Sequence, residues 1–102
     1  MNNDKKPTKI VLTTILQRDQ EMLTSNIGEE VVMMSIDNSA YYGLDPIGSQ
    51  IWEMIAEPIQ VSDLCAQLLN HYEVSEKDCQ RDVLNLLNHM LDENMLTVLQ
   101  NS

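Results

Sequence analysis

The sequence predicts an α+β domain in which a three-stranded antiparallel sheet is followed by three helices. Three observations carry this reading. Apolar, β-branched runs separated by turn residues fill the first half of the chain. Asp45-Pro46 then marks a helix start. Asp can accept from the unpaired N–H groups of a first helical turn, and Pro lacks an N–H where none is needed. Beyond that junction the apolar residues recur at helical rather than alternating spacing.

The elements follow in order. Residues 1–8 are polar and contain Pro7, and residues 1–19 read as an N-terminal extension. Within it, Ile10 to Leu16 is apolar and β-branched, suited to an extra strand or to an arm on another protomer. Gln20 to Ser25 forms the first strand of the sheet, and Asn26-Ile27-Gly28-Glu29 supplies a turn. Glu30 to Ile36 is the second strand, Asp37-Asn38-Ser39 a second turn, and Ala40 to Leu44 the third strand. The first helix runs from Pro46 to Ala56 and stops before Pro58. The second covers Ser62 to Tyr72, capped by Ser62 or a neighbour, with Leu64, Leu68 and Leu69 on its apolar face. The third begins at Ser75, where Ser75-Glu76-Lys77-Asp78 resembles a capping box with Asp in place of Glu, and continues to Glu93. Leu96 to Leu99 closes the chain as a short strand, leaving a tail at 100–102. This order also describes a winged helix-turn-helix-like domain.

Composition limits what such a domain can do. The 102 residues suffice for one small domain, and a hydrophobic content of 43% supports a packed core. Phe is absent and Met numbers seven, so flexible thioether side chains take up part of the packing. Acidic residues outnumber basic ones 16 to 6, for a formal charge of -10. No Lys or Arg lies between Arg18 and Lys77. Such a field repels phosphate backbones and attracts basic peptides. Lys77 and Arg81 are all that the third helix could offer DNA, which excludes the usual basic reading face. No apolar run reaches the length of a membrane span, and the N-terminus has no signal-peptide pattern, which predicts a cytoplasmic location. Cys65 and Cys79 fall in helical segments without Cys-x-x-Cys spacing and read as reduced, partly buried thiols.

The residues of catalysis are missing in combination. His71 and His89 are isolated and share no metal-ligand spacing with either Cys, so neither a metal nor another cofactor is expected. Gly28, Gly43 and Gly48 are scattered and form no phosphate loop. No carboxylate pair lies in an apolar context suited to acid–base work. Catalysis by this chain alone is therefore not expected.

The third helix is apolar over too wide an arc. At 100° per residue, Val83, Leu86 and Met90 form one flank, and Leu84, Leu87 and Leu91 the other, with Gln80 beside them. Together they span about 160°, against roughly 100° for a single buried face. One flank can serve the core while the other lines a groove.

The run Tyr41-Tyr42-Gly43-Leu44-Asp45-Pro46-Ile47-Gly48-Ser49-Gln50-Ile51-Trp52 resembles the strand-to-helix signature of PqqD-like proteins, which reads roughly aromatic, x, Leu, Asn or Asp, x, x, Gly, x, x, Ile, Trp. Asp82-Val83-x-x-Leu86-Leu87-x-x-Met90, ending in Met95-Leu96, resembles that family's third helix and exit. Asn94 stands where the family often has Gly, which suits a left-handed helix cap almost as well. The resemblance covers residues 20–99. It implies a recognition element for ribosomally made natural products, a small domain that binds a precursor's leader peptide. The stand-alone length is most similar to the leader-binding subunit of lasso peptide biosynthesis, which implies a separate leader peptidase and a cyclase as partners. A peptide chaperone serving a radical-SAM enzyme, as PqqD itself does, is the alternative; a DNA-binding regulator ranks below both.

Carried onto this chain, the resemblance makes Ala40, Tyr41, Tyr42, Gly43 and Leu44 the edge to which a leader adds as a strand. Gln80, Leu84, Leu87 and Leu91 are expected to form the helical wall of the groove, so that Leu87→Glu should weaken binding while sparing the fold. The acidic surface predicts a leader carrying Lys or Arg. An open edge can also pair with a second copy, which allows a homodimer.

Overall fold

A computed structural model of the chain describes residues 9–20, 22–28, 30–35 and 40–100. In chain order the elements are β1 (Ile15–Arg18), β2 (Leu23–Ile27), β3 (Glu30–Ser35), β4 (Ala40–Gly43), α1 (Pro46–Met54), β5 (Ile59–Gln60), α2 (Val61–Leu69), α3 (Glu76–Asp92) and β6 (Leu96–Gln100). The α+β class and the three helices are as expected. The strands form two antiparallel three-stranded sheets, ordered β2-β3-β4 and β5-β1-β6.

The first sheet is the expected meander with a tighter first turn. Asn26 and Ile27 belong to β2, and Ile27 lies opposite Glu30. The chain reverses through Gly28 at φ +64°, a left-handed conformation that a residue without Cβ adopts freely. Ile36 and the expected turn at 37–39 lie outside the described residues.

The second sheet accounts for the N-terminal segment. β1 pairs with β5 and β6 of its own chain, so residues 15–18 are an integral strand. The Arg18 N–H donates to the Ile55 carbonyl at 2.8 Å, and the Asp19 N–H to the Met95 carbonyl at 2.8 Å. Ile10 and Leu16 are fully buried. Asn88 of α3 clamps the Ile10 backbone in both directions: its Oδ1 accepts from the Ile10 N–H at 2.8 Å, and its Nδ2 donates to the Ile10 carbonyl at 3.3 Å.

This segment also explains how α2 begins. The helix starts at Val61, and its N-cap, Gln60, makes no side-chain cap bond. Ser62, expected with its neighbours to supply the cap, is inside the first turn. The Val61 N–H donates to the Thr14 carbonyl and the Ser62 N–H to the Leu12 carbonyl, each at 2.9 Å. Backbone from the N-terminal segment thus satisfies donors that a capping side chain usually takes. The helix ends at Leu69, short of the expected Tyr72.

α3 begins as the sequence predicts. Ser75 Oγ accepts from the Asp78 N–H at 3.0 Å. At its end Asn94 is at φ 62°, the Met95 N–H donates to the Met90 carbonyl at 2.9 Å, and the Asn94 N–H to the Leu91 carbonyl at 3.0 Å. This pair of bonds is the Schellman arrangement, with Met90 and Met95 both buried beneath it. The core between sheets and helices is built on Trp52, Ile51, Ile55, Leu64, Leu68, Leu87, Met33 and Leu16.

Candidate peptide-binding groove

β4 pairs with β3 on one side and is an edge strand on the other. The ladder shows which backbone groups face outward. Met33 lies opposite Tyr42, and the Leu44 N–H donates to the Val31 carbonyl at 3.0 Å. Since N–H and C=O groups alternate sides along a strand, Tyr42 and Leu44 point theirs at β3, and Tyr41 and Gly43 point theirs outward. These outward donors and acceptors are the groups to which a further strand can pair.

The strand-to-helix junction holds this edge in place. Asp45 is the N-cap of α1, its Oδ1 accepting from the Gly48 N–H at 2.7 Å. A Cβ on Gly48 would approach Asp45 Oδ1 to 3.0 Å and Leu44 Cβ to 3.4 Å, so the close cap excludes a side chain there. Ser49 adds a brace that the sequence reading passed over. It is buried; its Oγ accepts from the Val31 N–H at 2.8 Å and donates to the Leu44 carbonyl at 3.2 Å. One hydroxyl therefore ties α1 to β3 and to the exit of β4.

Two cavities flank α3 beside this edge. The larger, about 630 Å³, is lined by Gly43, Leu44, Asp45, Ile47 and Gly48 on one side, with Leu68, Tyr72 and Val74, and then Cys79, Asp82, Val83 and Leu86 of α3. The smaller, about 360 Å³, lies between Tyr42, Gly43 and Leu44 and the Leu86, His89 and Met90 stretch of α3. Gly43, Leu44 and Leu86 border both, which makes one groove in two compartments. Ile47 is 44% exposed and Val74 49%, and both sit on the larger compartment. Tyr42 Oη donates to Glu93 Oε1 at 2.8 Å and ties β4 to the end of α3.

The structure exchanges the expected flanks of α3. Leu87 is fully buried, and Leu84 and Leu91 are half-buried against the core. None of the three lines either compartment; Val83, Leu86 and Met90 do. Gln80 is engaged with Glu76 through Nε2 to Oε2 at 3.4 Å and lines neither. The reason is the N-terminal segment: Asn88, one turn beyond Leu84, holds Ile10 against that side of the helix. Leu87→Glu would place a charge in the core, so it tests the fold and not the groove.

Both cysteines are free and buried. Burial pushes the Cys65 thiol up to about 11, with Cys79 adding to the effect. Cys79 is raised as well, chiefly by burial, although its bond to Cys65 pulls the other way. Such thiols are poor nucleophiles near neutral pH. Among the described residues, no cluster of three or more His, Cys, Asp or Glu is placed to hold a metal ion, and no helix is long and apolar enough to cross a membrane.

Residues 30–96, from β3 to the start of β6, match the family model described as coenzyme PQQ synthesis protein D (PqqD). The chain belongs to the PqqD family. The matched region contains the edge strand, the junction and all of α3, so the groove is made of PqqD-family sequence throughout. The solved structure of TbiB1 in complex with the TbiA(beta) leader peptide is similar to this chain at a TM-score of 0.74 and 21% identity, over 84% of this chain and 98% of that one. This likeness fixes a shared fold. No curated protein matches the sequence.

Proposed function

We propose that this chain is a non-catalytic recognition subunit that binds the leader peptide of a ribosomally synthesised precursor by strand addition and presents it to separate maturation enzymes. The observation that carries the reading is the outward edge of β4 running into an apolar groove against α3, with Ile47 and Val74 left exposed beside it. Edge strands supply sequence-tolerant backbone bonds, and pockets beside them supply selectivity. Membership of the PqqD family and the fold shared with TbiB1, a protein solved with a leader peptide, support the same reading. The resemblance over residues 20–99 and the fold shared with a leader-bound protein favour a lasso-type precursor, with a leader peptidase and a cyclase as the enzymes served. The family description also favours a second reading, a PqqD-type chaperone that delivers a peptide to a radical-SAM enzyme. The peptide-bearing surface is the same in both. The formal charge of -10 disfavours DNA.

The decisive measurement is backbone amide exchange with and without a bound peptide. Strand addition protects the Tyr41 and Gly43 amides and leaves Tyr42, already bonded to β3, unchanged. Protection confined to α3, or equal along β4, would overturn strand addition. Precursor mixed with candidate enzymes, with and without this chain, then separates the lasso reading from the radical-SAM reading.

A further inference from the structure

The larger compartment has carboxylates and no cation in its lining: Asp45 from α1's cap and Asp82 from α3. The two are not equivalent. Asp45 Oδ1 is committed to the Gly48 N–H and sits at a helix N-terminus, where the helix dipole already offsets its charge. Asp82 is exposed, and its Oδ1 accepts from Arg81 Nε at 3.2 Å. Arg81 is shared with Asp78 at 2.9 Å, and an exposed pair of this kind holds weakly and exchanges readily. The other described cations are placed elsewhere. Arg18 stacks over Trp52 at 5.3 Å, Lys9 belongs to the N-terminal segment, and Lys77 is on the first turn of α3; none of them lines the compartment. The strands β2 to β4 and the helices α1 and α2 contain no Lys or Arg.

Resting on the peptide-binding reading above, we propose that Asp82 is a specificity determinant: the larger compartment takes an apolar side chain flanked by Lys or Arg, the apolar group lying against Leu68 and Leu86 and the cation meeting Asp82 at the mouth. A basic residue on the peptide displaces Arg81 from Asp82 without leaving either uncompensated, because Arg81 keeps Asp78. An acidic residue there meets the Asp82 carboxylate with no cation in the lining to offset it, and the groove rejects it. Apolar shape sets where the peptide sits, and this carboxylate sets which peptides are accepted.

The test is a display selection on the immobilised full chain, with random peptides about twelve residues long, enough at about 3.3 Å per residue to span β4 and the groove. Enriched peptides should carry Lys or Arg within two positions of an aliphatic or aromatic residue. With Asp82→Lys the same selection should favour Asp or Glu at that place. A peptide selected on the natural chain should bind Asp82→Lys about tenfold more weakly and recover when its basic residue is changed to Glu. No basic excess, or an excess unchanged by Asp82→Lys, overturns the proposal. Gly43→Pro separates the two levels: it removes one outward N–H where an edge strand tolerates Pro. If selected peptides ignore Gly43→Pro, strand addition is wrong. If they lose binding to Gly43→Pro while their charge preference ignores Asp82→Lys, only the role of Asp82 is wrong. Thermal unfolding of both variants confirms that the fold is intact, and Asp82→Asn, which removes the charge and keeps the shape, should give an intermediate preference.

Discussion

At the scale of single residues, the edge strand is held by groups of small size and fixed geometry. Ser49 is the sharpest case, because its one hydroxyl serves the Val31 N–H and the Leu44 carbonyl inside the core. Ser49→Ala leaves a buried donor without an acceptor, a loss of about 1–3 kcal/mol. Urea unfolding should show that loss, and peptide binding should weaken with it as the exit of β4 loosens. The buried thiols give a second residue-scale outcome. Below pH 9 both folded and unfolded chains keep the Cys65 proton; above it the unfolded chain ionises first, while the folded thiol holds out to about 11. Stability should therefore fall across that window, by roughly 2–3 kcal/mol at about 1.4 kcal/mol per pH unit. Cys65→Ala should flatten the decline relative to its own stability at neutral pH.

At the scale of elements, α3 shows what periodicity can and cannot tell. The wide apolar arc was legible, as was the Ser75 cap, because each depends on residues within a turn or two of one another, while the left-handed Asn94 came from the family resemblance. Which flank faces the groove depends on Ile10, held by Asn88 across 78 positions, and no local pattern encodes that contact. The junction was legible for the same local reason: Asp45, Pro46 and Gly48 act within four residues. Ser49 was missed because a lone serine on a helix carries no periodic signal, and Tyr72 and Val74 because the loop between helices has no apolar rhythm. The exchanged flanks make a direct prediction. Leu86→Glu alters a half-buried side chain bordering both compartments, and it should weaken peptide binding by about tenfold or more while the unfolding transition moves little. Leu87→Ala should do the reverse, with a stability loss of about 2–5 kcal/mol. Isothermal titration and denaturant unfolding on the same samples decide between the two flanks.

At the scale of the whole molecule, the region that matches the family begins at residue 30, yet the second sheet is built around a strand that precedes it. β1 is the middle strand of the second sheet, so its removal leaves β5 and β6 with no partner between them. The carbonyls of Leu12 and Thr14 take the first donors of α2, and Ile10 and Leu16 are fully buried side chains. Burial of a large aliphatic side chain is worth about 1.5–3 kcal/mol, and an uncapped helix start costs about 1 kcal/mol more. The sum over two such side chains, the α2 start and a central strand approaches the 5–15 kcal/mol that holds a small domain folded. A chain beginning at residue 20 should therefore show no cooperative thermal transition by circular dichroism and should fail to bind peptide. Asn88→Ala, which releases only the clamp on Ile10, should retain the transition at a lower midpoint. A cooperative transition in the shortened chain close to that of the full one would mean that the second sheet is an accessory to the groove; its absence makes the N-terminal strand the element that holds α2 and α3 at the spacing the groove requires.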